Sequence, residues 1–599
     1  MWGNVRLLLR EFLRQFDVRG RKAARGSGTP AEAPGYSLYR FYLENFKPSV
    51  NLDQMASTTI FQHPMIGDIK ASSTEDVIQF LGLKYASLHH WFDNAKLVEY
   101  DGKGLSAIRH GWVSLQPSEI RLSELTESIR PQVISDPEGV HKEHFIIQKT
   151  LPVNGHPGIS GTECLNLNIA APANSSKAES LPVIVFIHGG AFITGSNWWP
   201  QYDLKRIVQL SIKQGQFLIA VSINYRLGAP GFLTSEELRK KGFKSNQGHH
   251  DQRVALQYVK RYIPGFGGDP NKITVIGESA GGISTSRLLY SNDDAPSQVV
   301  VLSGSPPSLP PMELSAAEEA YRGALKSLGA EDLTPSQRVE ALSRLSPEAL
   351  LEKLDKNLQF LPVLDADTVP FVPTFKAVEA KTSIPGNTPC KAIMVGYLPD
   401  DASIFGLAGL LQRKPGIGAS FKKLIESSFS DHPDKATKLL QAYGISEDTN
   451  DEDAFKGVMR FASDVGFQAP ARSWAASFPG DSYLFELAEA NPWEGPFKGY
   501  ATHVLDVAFL FQNYREHLDG KQQASAEAFT ADIITFTHGK APWKKHRDEG
   551  GLGVYRNGAR TYEESPGVLS DQYQVLMEVS QIVGLDFVLG AWTKFFLSS

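Results

Sequence analysis

A serine set among glycines is the residue whose type and spacing most clearly suggest chemistry. In the segment "TVIGESAGGIS" (274–284), Gly277, Ser279 and Gly281 fit the pattern G-x-S-x-G. In that pattern a strained turn from a strand into a helix lifts the serine hydroxyl above the edge of a sheet, where it can act as a nucleophile. An ordinary glycine-rich loop could carry the same letters, so the flanking elements decide. A buried strand, "ITVIG" (273–277), precedes the turn and an amphipathic helix follows it, which favours the nucleophile.

A serine hydroxyl is a poor nucleophile at neutral pH and needs other groups around it. It requires a base, an acid that orients the base, and hydrogen-bond donors for the oxyanion. His188, Gly189 and Gly190 directly follow the apolar run "LPVIVFI" (181–187). We predict that the backbone N–H groups of Gly189 and Gly190, together with that of Ala280, form the oxyanion hole. The alternative is that the two glycines form a plain turn.

The acid and the base are expected to follow Ser279 in the chain, in that order. Asp400 and Asp401 come shortly after the apolar run "KAIMVG" (391–396). The histidines that follow them are His432, His503, His517, His538 and His546. Among these, His503 alone sits in a glycine-containing loop directly before an amphipathic helix, which makes it the candidate base.

These residues need a rigid frame, and the sequence predicts a largely parallel sheet covered by helices. Short apolar runs that are nearly continuous, as in strands buried on both faces, alternate with segments of helical periodicity. The predicted strands lie at 181–190, 215–228, 273–277, 297–304, 391–396 and 482–488, and the predicted helices at 251–263, 283–291 and 504–514. The alternation indicates an α/β fold with helices on both faces. Two helix-rich stretches, roughly 310–360 and 407–470, are predicted to be insertions at the ligand-binding end of the sheet.

Composition excludes several classes of protein. The chain has 599 residues, of which 42% are hydrophobic and 21% charged, and its net charge is −6. These values are typical of a globular protein and argue against nucleic acid as the partner. We find no apolar run of the roughly 18 residues that a membrane-spanning helix needs. Cys164 and Cys390 are the two cysteines, too few for a disulfide framework or a zinc site, and we predict that they are buried free thiols.

The first residues differ in composition from the rest of the chain. Residues 1–16 are rich in arginine and carry apolar side chains at helical spacing, without the continuous apolar core of a secretory signal. Residues 20–36 resemble a linker. We therefore divide the chain into a basic extension with linker at 1–54 and a folded domain at 55–599. A cytoplasmic location is expected, with mitochondrial import through the arginine-rich segment as the alternative.

Several long segments together resemble one known family. They are "ECLNLNIAAP" (163–172), "IVFIHGGAFITGS" (184–196), "SINYRLGAPGFL" (222–233), "NQGHHDQRVALQYV" (246–259) and "GFGGDPNKITVIGESAGG" (265–282). In this order they are similar to the motifs of type-B carboxylesterases, which include the cholinesterases and some fungal lipases. The resemblance covers most of residues 60–305 and continues more faintly to about 515. It implies the α/β-hydrolase fold, with helical insertions forming a cap over the active site.

The resemblance also implies which residues complete the site. Family members place their acid five residues after the glycine that matches Gly396, which gives Asp401. The segment "FKGYATHVLDVAFLF" (497–511) is similar to the family's histidine loop and gives His503 as the base. Asp400 would then be a solvated turn residue. The activity implied is hydrolysis of carboxylic esters, with a small-molecule ester as partner and without metal or cofactor.

The chain also departs from the family pattern. Secreted members pair the cysteine that matches Cys164 with one further upstream, and here no cysteine precedes Cys164, which supports an intracellular setting. His249 and His250 stand beside Asp251 but fall within an ordinary family stretch, so we predict no metal there.

Two questions stay open at the level of sequence. A catalytically inert, cholinesterase-like binding protein is one alternative function, and an acyltransferase that uses the same acyl-enzyme is another. Trp198 and Trp199 follow the oxyanion loop, and we predict that they help to bind an apolar or aromatic part of the substrate. Burial of both rings elsewhere in the core is the alternative.

Overall fold

A sheet of thirteen strands runs through the part of the chain that the structure describes. The computed structural model describes residues 57–116, 147–152, 156–173, 180–290, 295–355, 357–381, 389–564 and 569–598. The strands are β1 (Ser57–His63), β2 (Gly67–Ser73), β3 (Val77–Lys84), β4 (Ala86–Ser87), β5 (Lys96–Leu97), β6 (Leu105–Ala107), β7 (Asn166–Pro172), β8 (Leu181–Ile187), β9 (Ile219–Ile223), β10 (Gly268–Glu278), β11 (Gln298–Leu302), β12 (Ala392–Tyr397), β13 (Asp481–Leu487), β14 (Gly551–Arg556) and β15 (Ala559–Glu564). The predicted extension at 1–54 lies outside the described residues, so the predictions on its structure and on location stay predictions.

The strand order is β1-β2-β3-β7-β9-β8-β10-β11-β12-β13-β14-β15, with β6 beside β2 and the pair β4–β5 apart. From β9 to β14 every neighbouring pair is parallel, whereas β1, β2, β3, β7 and β15 are joined antiparallel at the two ends. The predicted mostly parallel sheet is confirmed. The strands at its centre, β8, β9, β11 and β12, are buried at every residue except Gln298 at the start of β11, which explains their continuous apolar sequences.

Helices cover both faces of this sheet. They are α1 (Lys205–Lys213), α2 (Gly228–Phe232), α3 (Glu236–Lys240), α4 (Gln247–Tyr262), α5 (Ala280–Arg287), α6 (Leu314–Ser327), α7 (Pro335–Ser343), α8 (Pro347–Lys353), α9 (Phe375–Glu379), α10 (Ser403–Phe405), α11 (Ile417–Ser428), α12 (Pro433–Ala442), α13 (Asp451–Ser463), α14 (Ala469–Ser477), α15 (Leu505–Leu510), α16 (Gly520–Thr537), α17 (His546–Glu549), α18 (Asp571–Val583) and α19 (Leu585–Leu597). The helix-rich insertions are confirmed: α6 to α8 follow β11, and α11 to α13 follow β12.

Alternate residues of each central strand belong to different hydrophobic clusters. Val183 and Val185 of β8 pack in one cluster with residues of α4. Their neighbours Ile184 and Phe186 pack in a second cluster with residues of α1 and α16. Successive side chains of a strand point to opposite faces, so separate hydrophobic cores pack on the two faces of the sheet and fix the positions of its strand ends.

Two further observations bear on the predictions from composition. Cys164 and Cys390 are both buried free thiols, which confirms that prediction. Among the described residues, no single helix has the length and apolarity to cross a membrane. The pair α18 and α19 passes that test only when both helices are taken together, and the two meet at an angle of 109°.

Candidate active site

Ser279 occupies a strained turn between β10 and α5. Its φ of 54° and ψ of −122° lie outside the regions that side chains normally adopt. The surrounding glycines make this turn sterically possible. A Cβ atom on Gly277 would overlap the carbonyl oxygen of Gly281, and one on Gly304 would overlap that of Ser279. The turn predicted from the G-x-S-x-G pattern is therefore present, with Ala280 as the first residue of α5.

The loop after β8 lies directly against this turn. Gly190, Ala191 and Phe192 have φ values of 97°, 54° and 62°, so three consecutive residues are left-handed. A Cβ atom on Gly189 would lie 3.0 Å from the Cβ atom of Ser279. The loop after β8 thus meets the turn at Gly189, next to Ser279 and Ala280, and the oxyanion hole predicted from Gly189, Gly190 and Ala280 stays a prediction.

His188 anchors the start of that loop. Burial lowers the pKa of its imidazole to about 4, so the ring is neutral at physiological pH. Nδ1 lies 2.9 Å from the carbonyl oxygen of Gly189, and the ring stacks on Tyr225 at a centroid distance of 4.6 Å. These contacts hold the loop in its left-handed conformation.

His503 and Asp401 meet at the carboxyl end of the sheet. Nδ1 of His503 lies 2.8 Å from Oδ1 of Asp401, and both side chains are buried. Oδ2 of Asp401 accepts a hydrogen bond from the backbone N–H of Leu398 at 2.8 Å, and the backbone N–H of His503 donates to Oγ of Ser403 at 3.0 Å. The carboxylate therefore holds the imidazole with its Nδ1–H toward Asp401 and Nε2 on the opposite side.

Asp400 joins the acid loop to the histidine loop. Its Oδ2 accepts the backbone N–H of Ala501 at 2.8 Å, and its own N–H donates to the carbonyl oxygen of Ala501 at 3.0 Å. The expectation that Asp400 is a solvated turn residue is wrong. The residue is half-buried, and its backbone forms an isolated β-bridge with that of Thr502. Burial raises the pKa of its carboxyl group. Asp400 thus aligns the backbone just before His503.

Glu278, the residue before Ser279, faces the other ring nitrogen of His503. Its Oε1 lies 3.2 Å from Nε2, and both groups are buried. The imidazole of His503 thus lies between the carboxyl groups of Asp401 and Glu278. No role of Glu278 was predicted from the sequence. The available signal was its place inside G-E-S-A-G, next to the nucleophile.

Three further residues complete the surroundings of His503. Oδ2 of Asp506 accepts a hydrogen bond from Oγ of Ser303 at 3.0 Å. Burial, and then the charge of Asp401, raise the pKa of Asp506 to about 7. Phe467 packs its ring 5.4 Å from that of His503 and belongs to a π-helical turn, Asp464–Gln468, at the end of the second insertion. The insertion therefore contacts the site directly.

Trp198 and Trp199 are both buried, with exposed fractions of 7% and 4%. Trp198 makes an edge contact with His156 at 4.9 Å, and Trp199 stacks on Tyr202 at 5.9 Å. Each ring thus has a packing role in the core, and their role in substrate binding stays a prediction. Among the described residues, no three His, Cys, Asp or Glu side chains are grouped as metal ligands would be.

The model of the carboxylesterase family matches residues 63–538. The chain belongs to the carboxylesterase family. It is a carboxylic ester hydrolase, as its resemblance to type-B carboxylesterases implied.

Individual carboxylesterases and lipases are similar to the chain over much of its length. It is 26% identical over 494 residues to para-nitrobenzyl esterase of Bacillus subtilis, covering 79% of this chain and 86% of that protein. It is 28% identical over 396 residues to Lipase 4 of Diutina rugosa, covering 59% and 69% of the two chains. The solved structure of a thermophilic PNB esterase superposes with a TM-score of 0.64, at 23% identity over 87% of this chain and all of that one. This carboxylesterase therefore has the α/β-hydrolase fold.

Proposed function

We propose that Ser279, His503 and Asp401 form the catalytic triad and that hydrolysis proceeds through an acyl-enzyme. The observation that carries the proposal is the position of His503, which reaches Asp401 with Nδ1 and the residue next to Ser279 with Nε2. Oγ of Ser279 attacks the ester carbonyl carbon while its proton moves to Nε2 of His503. Asp401 holds the ring orientation and stabilises the imidazolium.

The tetrahedral intermediate carries an oxyanion that needs donors. The backbone N–H groups of Gly189, Gly190 and Ala280 supply them, aided by the positive end of the α5 dipole. The imidazolium then gives its proton to the departing alcohol as the ester C–O bond breaks. Water attacks the acyl-enzyme, its proton passes to Nε2, and the carboxylic acid leaves as Ser279 recovers its proton.

Glu278 contributes electrostatically to both steps. Positive charge appears on His503 twice in the cycle, and the Glu278 carboxyl group lies 3.2 Å from the nitrogen that receives the proton. In a buried site an opposite charge at this distance is only weakly screened. Phe467 packs against the ring of His503 and adds an apolar side chain to the same region.

Rapid mixing with p-nitrophenyl butyrate tests the proposal. A burst of about one equivalent of p-nitrophenol followed by slower turnover is expected, because acylation releases p-nitrophenol before the slower deacylation step. An alkyl fluorophosphonate should label one residue, and mass spectrometry should place the label on Ser279. Ser279→Ala should abolish the burst and the labelling while the protein stays folded. Labelling at another residue, or a burst that survives in Ser279→Ala, would overturn the assignment.

The inert binding protein is not favoured, because the chain is a carboxylic ester hydrolase with serine, histidine and aspartate at the three positions. Transfer to an alcohol uses the same acyl-enzyme and differs only in the acceptor. Adding methanol to the p-nitrophenyl butyrate assay and quantifying methyl butyrate against butyrate measures that partition.

Substrate binding by the two tryptophans is tested separately. Because both rings are buried, we choose Trp198→Phe and Trp199→Phe, which keep an aromatic ring and limit the loss of packing. A change in relative kcat/KM across p-nitrophenyl esters of increasing acyl length is expected. An unchanged pattern in the folded double variant would leave the tryptophans with a packing role alone.

A further inference from the structure

A buried histidine–arginine pair lies behind the oxyanion loop, outside the proposed triad. Nη1 of Arg287, the last residue of α5, donates to Nε2 of His249 in α4 at 2.7 Å. The exposed fractions are 6% for Arg287 and 2% for His249. Burial, and then the charge of Arg287, hold the pKa of His249 well below its usual value, so the ring is neutral and accepts this bond. The pKa of Arg287 is lowered by burial to about 10, which leaves the guanidinium charged at neutral pH.

A chain of hydrogen bonds connects this pair to Ala280, the residue after the proposed nucleophile. Nδ1 of His249 lies 3.2 Å from Oε1 of Gln252, and Nε2 of Gln252 donates to Oγ of Ser284 at 3.1 Å. The Ser284 hydroxyl donates in turn to the carbonyl oxygen of Ala280 at 3.0 Å. Each group donates to the next and all are buried, so each bond strengthens its neighbours and restrains the first turn of α5.

The same pair also contacts the other side of the oxyanion hole. Phe192 ends the run of three left-handed residues after Gly189. The ring of His249 meets the Phe192 ring edge-on at 5.5 Å, and the guanidinium carbon of Arg287 lies 5.7 Å from its centroid. Moving either polar side chain would therefore disturb the packing that holds this loop.

We propose that His249 and Arg287 are positioning residues for the oxyanion hole. They hold the backbone at Ala280 in place through hydrogen bonds, and they hold the backbone at Gly189 and Gly190 in place through contacts with Phe192. The inference rests on the proposed function, because it takes these backbone N–H groups as the oxyanion donors. Neither side chain touches the reacting atoms. Their effect is on the geometry that the transition state requires.

Arg287→Met, Arg287→Lys and the control Arg253→Met test the proposal. Arg253 lies in α4, as His249 does, but it pairs with Asp367 near the surface and takes no part in the hydrogen-bond chain. With p-nitrophenyl butyrate, Arg287→Met should lower kcat about 10- to 100-fold, with KM changed less than about twofold, because misplaced donors weaken transition-state binding alone. Arg287→Lys, which keeps a charged donor, should recover most of kcat. Arg253→Met should leave both constants within about twofold.

A reversible inhibitor separates positioning from general loss of structure. An alkyl trifluoromethyl ketone forms a tetrahedral adduct with a reactive serine, whereas the matching methyl ketone resembles the ground state. The inhibition constant of the fluorinated ketone should rise by the same factor by which kcat falls in Arg287→Met, and that of the methyl ketone should not change. A fall in kcat without this selective rise would overturn the proposal.

Ser284→Ala provides a second variant, since it removes only the last link of the chain. We expect the same selective effect on the fluorinated ketone, about five- to tenfold, in a protein that unfolds at the wild-type temperature. Full activity in both Arg287→Met and Ser284→Ala would also overturn the proposal. The triad assignment is judged independently by Ser279→Ala, so the two failures are distinguishable.

Discussion

Asp401 and His503 share a hydrogen bond of 2.8 Å although 102 positions separate them in the chain. Asp400, one residue earlier, binds the backbone of Ala501 instead. Replacing Asp401 with Asn should lower kcat about 10⁴-fold, as in other serine–histidine–aspartate triads, because the imidazole would be held in the wrong tautomer. Asp400→Asn should change kcat less than about threefold, since the amide oxygen can still accept the Ala501 N–H. Steady-state kinetics with p-nitrophenyl butyrate measures kcat of both variants. A large loss in Asp400→Asn and a small loss in Asp401→Asn would identify Asp400 as the acid.

Glu278→Gln replaces the carboxyl group next to Nε2 of His503 with an amide of the same size. We expect kcat to fall about tenfold with little change in KM, because the imidazolium formed in the transition state loses an electrostatic partner. Glu489 is also buried but binds Ser525 and Gly558, away from the triad. Glu489→Gln is the matched control and should keep wild-type kcat. Equal losses in the two variants would show that Glu278 acts only on the fold.

Asp506 makes the stability of the protein depend on pH. Its pKa rises from 3.8 to about 7 on folding, so between these values the folded state keeps a proton that the unfolded chain has released. The contribution of this group to the free energy of unfolding is therefore largest at low pH and decreases as pH rises toward 7. This decrease should be absent in Asp506→Asn. As pH rises, the free energy of unfolding of the variant should therefore increase relative to that of the wild type by up to about 1.4 kcal/mol per pH unit.

Urea unfolding of wild type and Asp506→Asn at pH 5, 6 and 7 measures that difference. Burial also raises the pKa of Asp464, to about 6, and this group affects stability in the same direction. Because Asp464 is present in both proteins, its contribution cancels in the difference between them. Parallel curves for the two proteins across this range would contradict the prediction.

Ala366 offers a test of backbone strain away from the site. It is exposed and has a φ of 61°, a conformation that costs a non-glycine residue about 1–2 kcal/mol. Ala366→Gly should therefore raise the free energy of unfolding by about 0.5–1 kcal/mol, after the entropy that glycine adds to the unfolded chain is subtracted. Ala524→Gly, at an exposed position inside α16, should lower it by about 1 kcal/mol. Urea unfolding of both variants compares them, and equal destabilisation would contradict the argument.

The central strands and the nucleophile turn could be predicted because their signals are local. Continuous apolar runs identify β8 to β13, since these strands are buried on both faces. The outer strands β1, β2 and β15 were not predicted. Their residues are partly exposed and mix polar with apolar side chains, and their pairing depends on partners distant in sequence.

By itself the sequence determined the types of group and the local turns: a serine at a strand-to-helix turn, a glycine loop after β8, and a choice among a few acids and histidines. The tertiary structure decided which of these meet. It placed Asp401 on His503, turned Asp400 toward Ala501, set Glu278 against Nε2 and buried Trp198 in the core. The reason is physical: local sequence sets backbone conformation and periodicity, whereas these contacts depend on the order and register in which distant strands pair, and hence on where their ends lie.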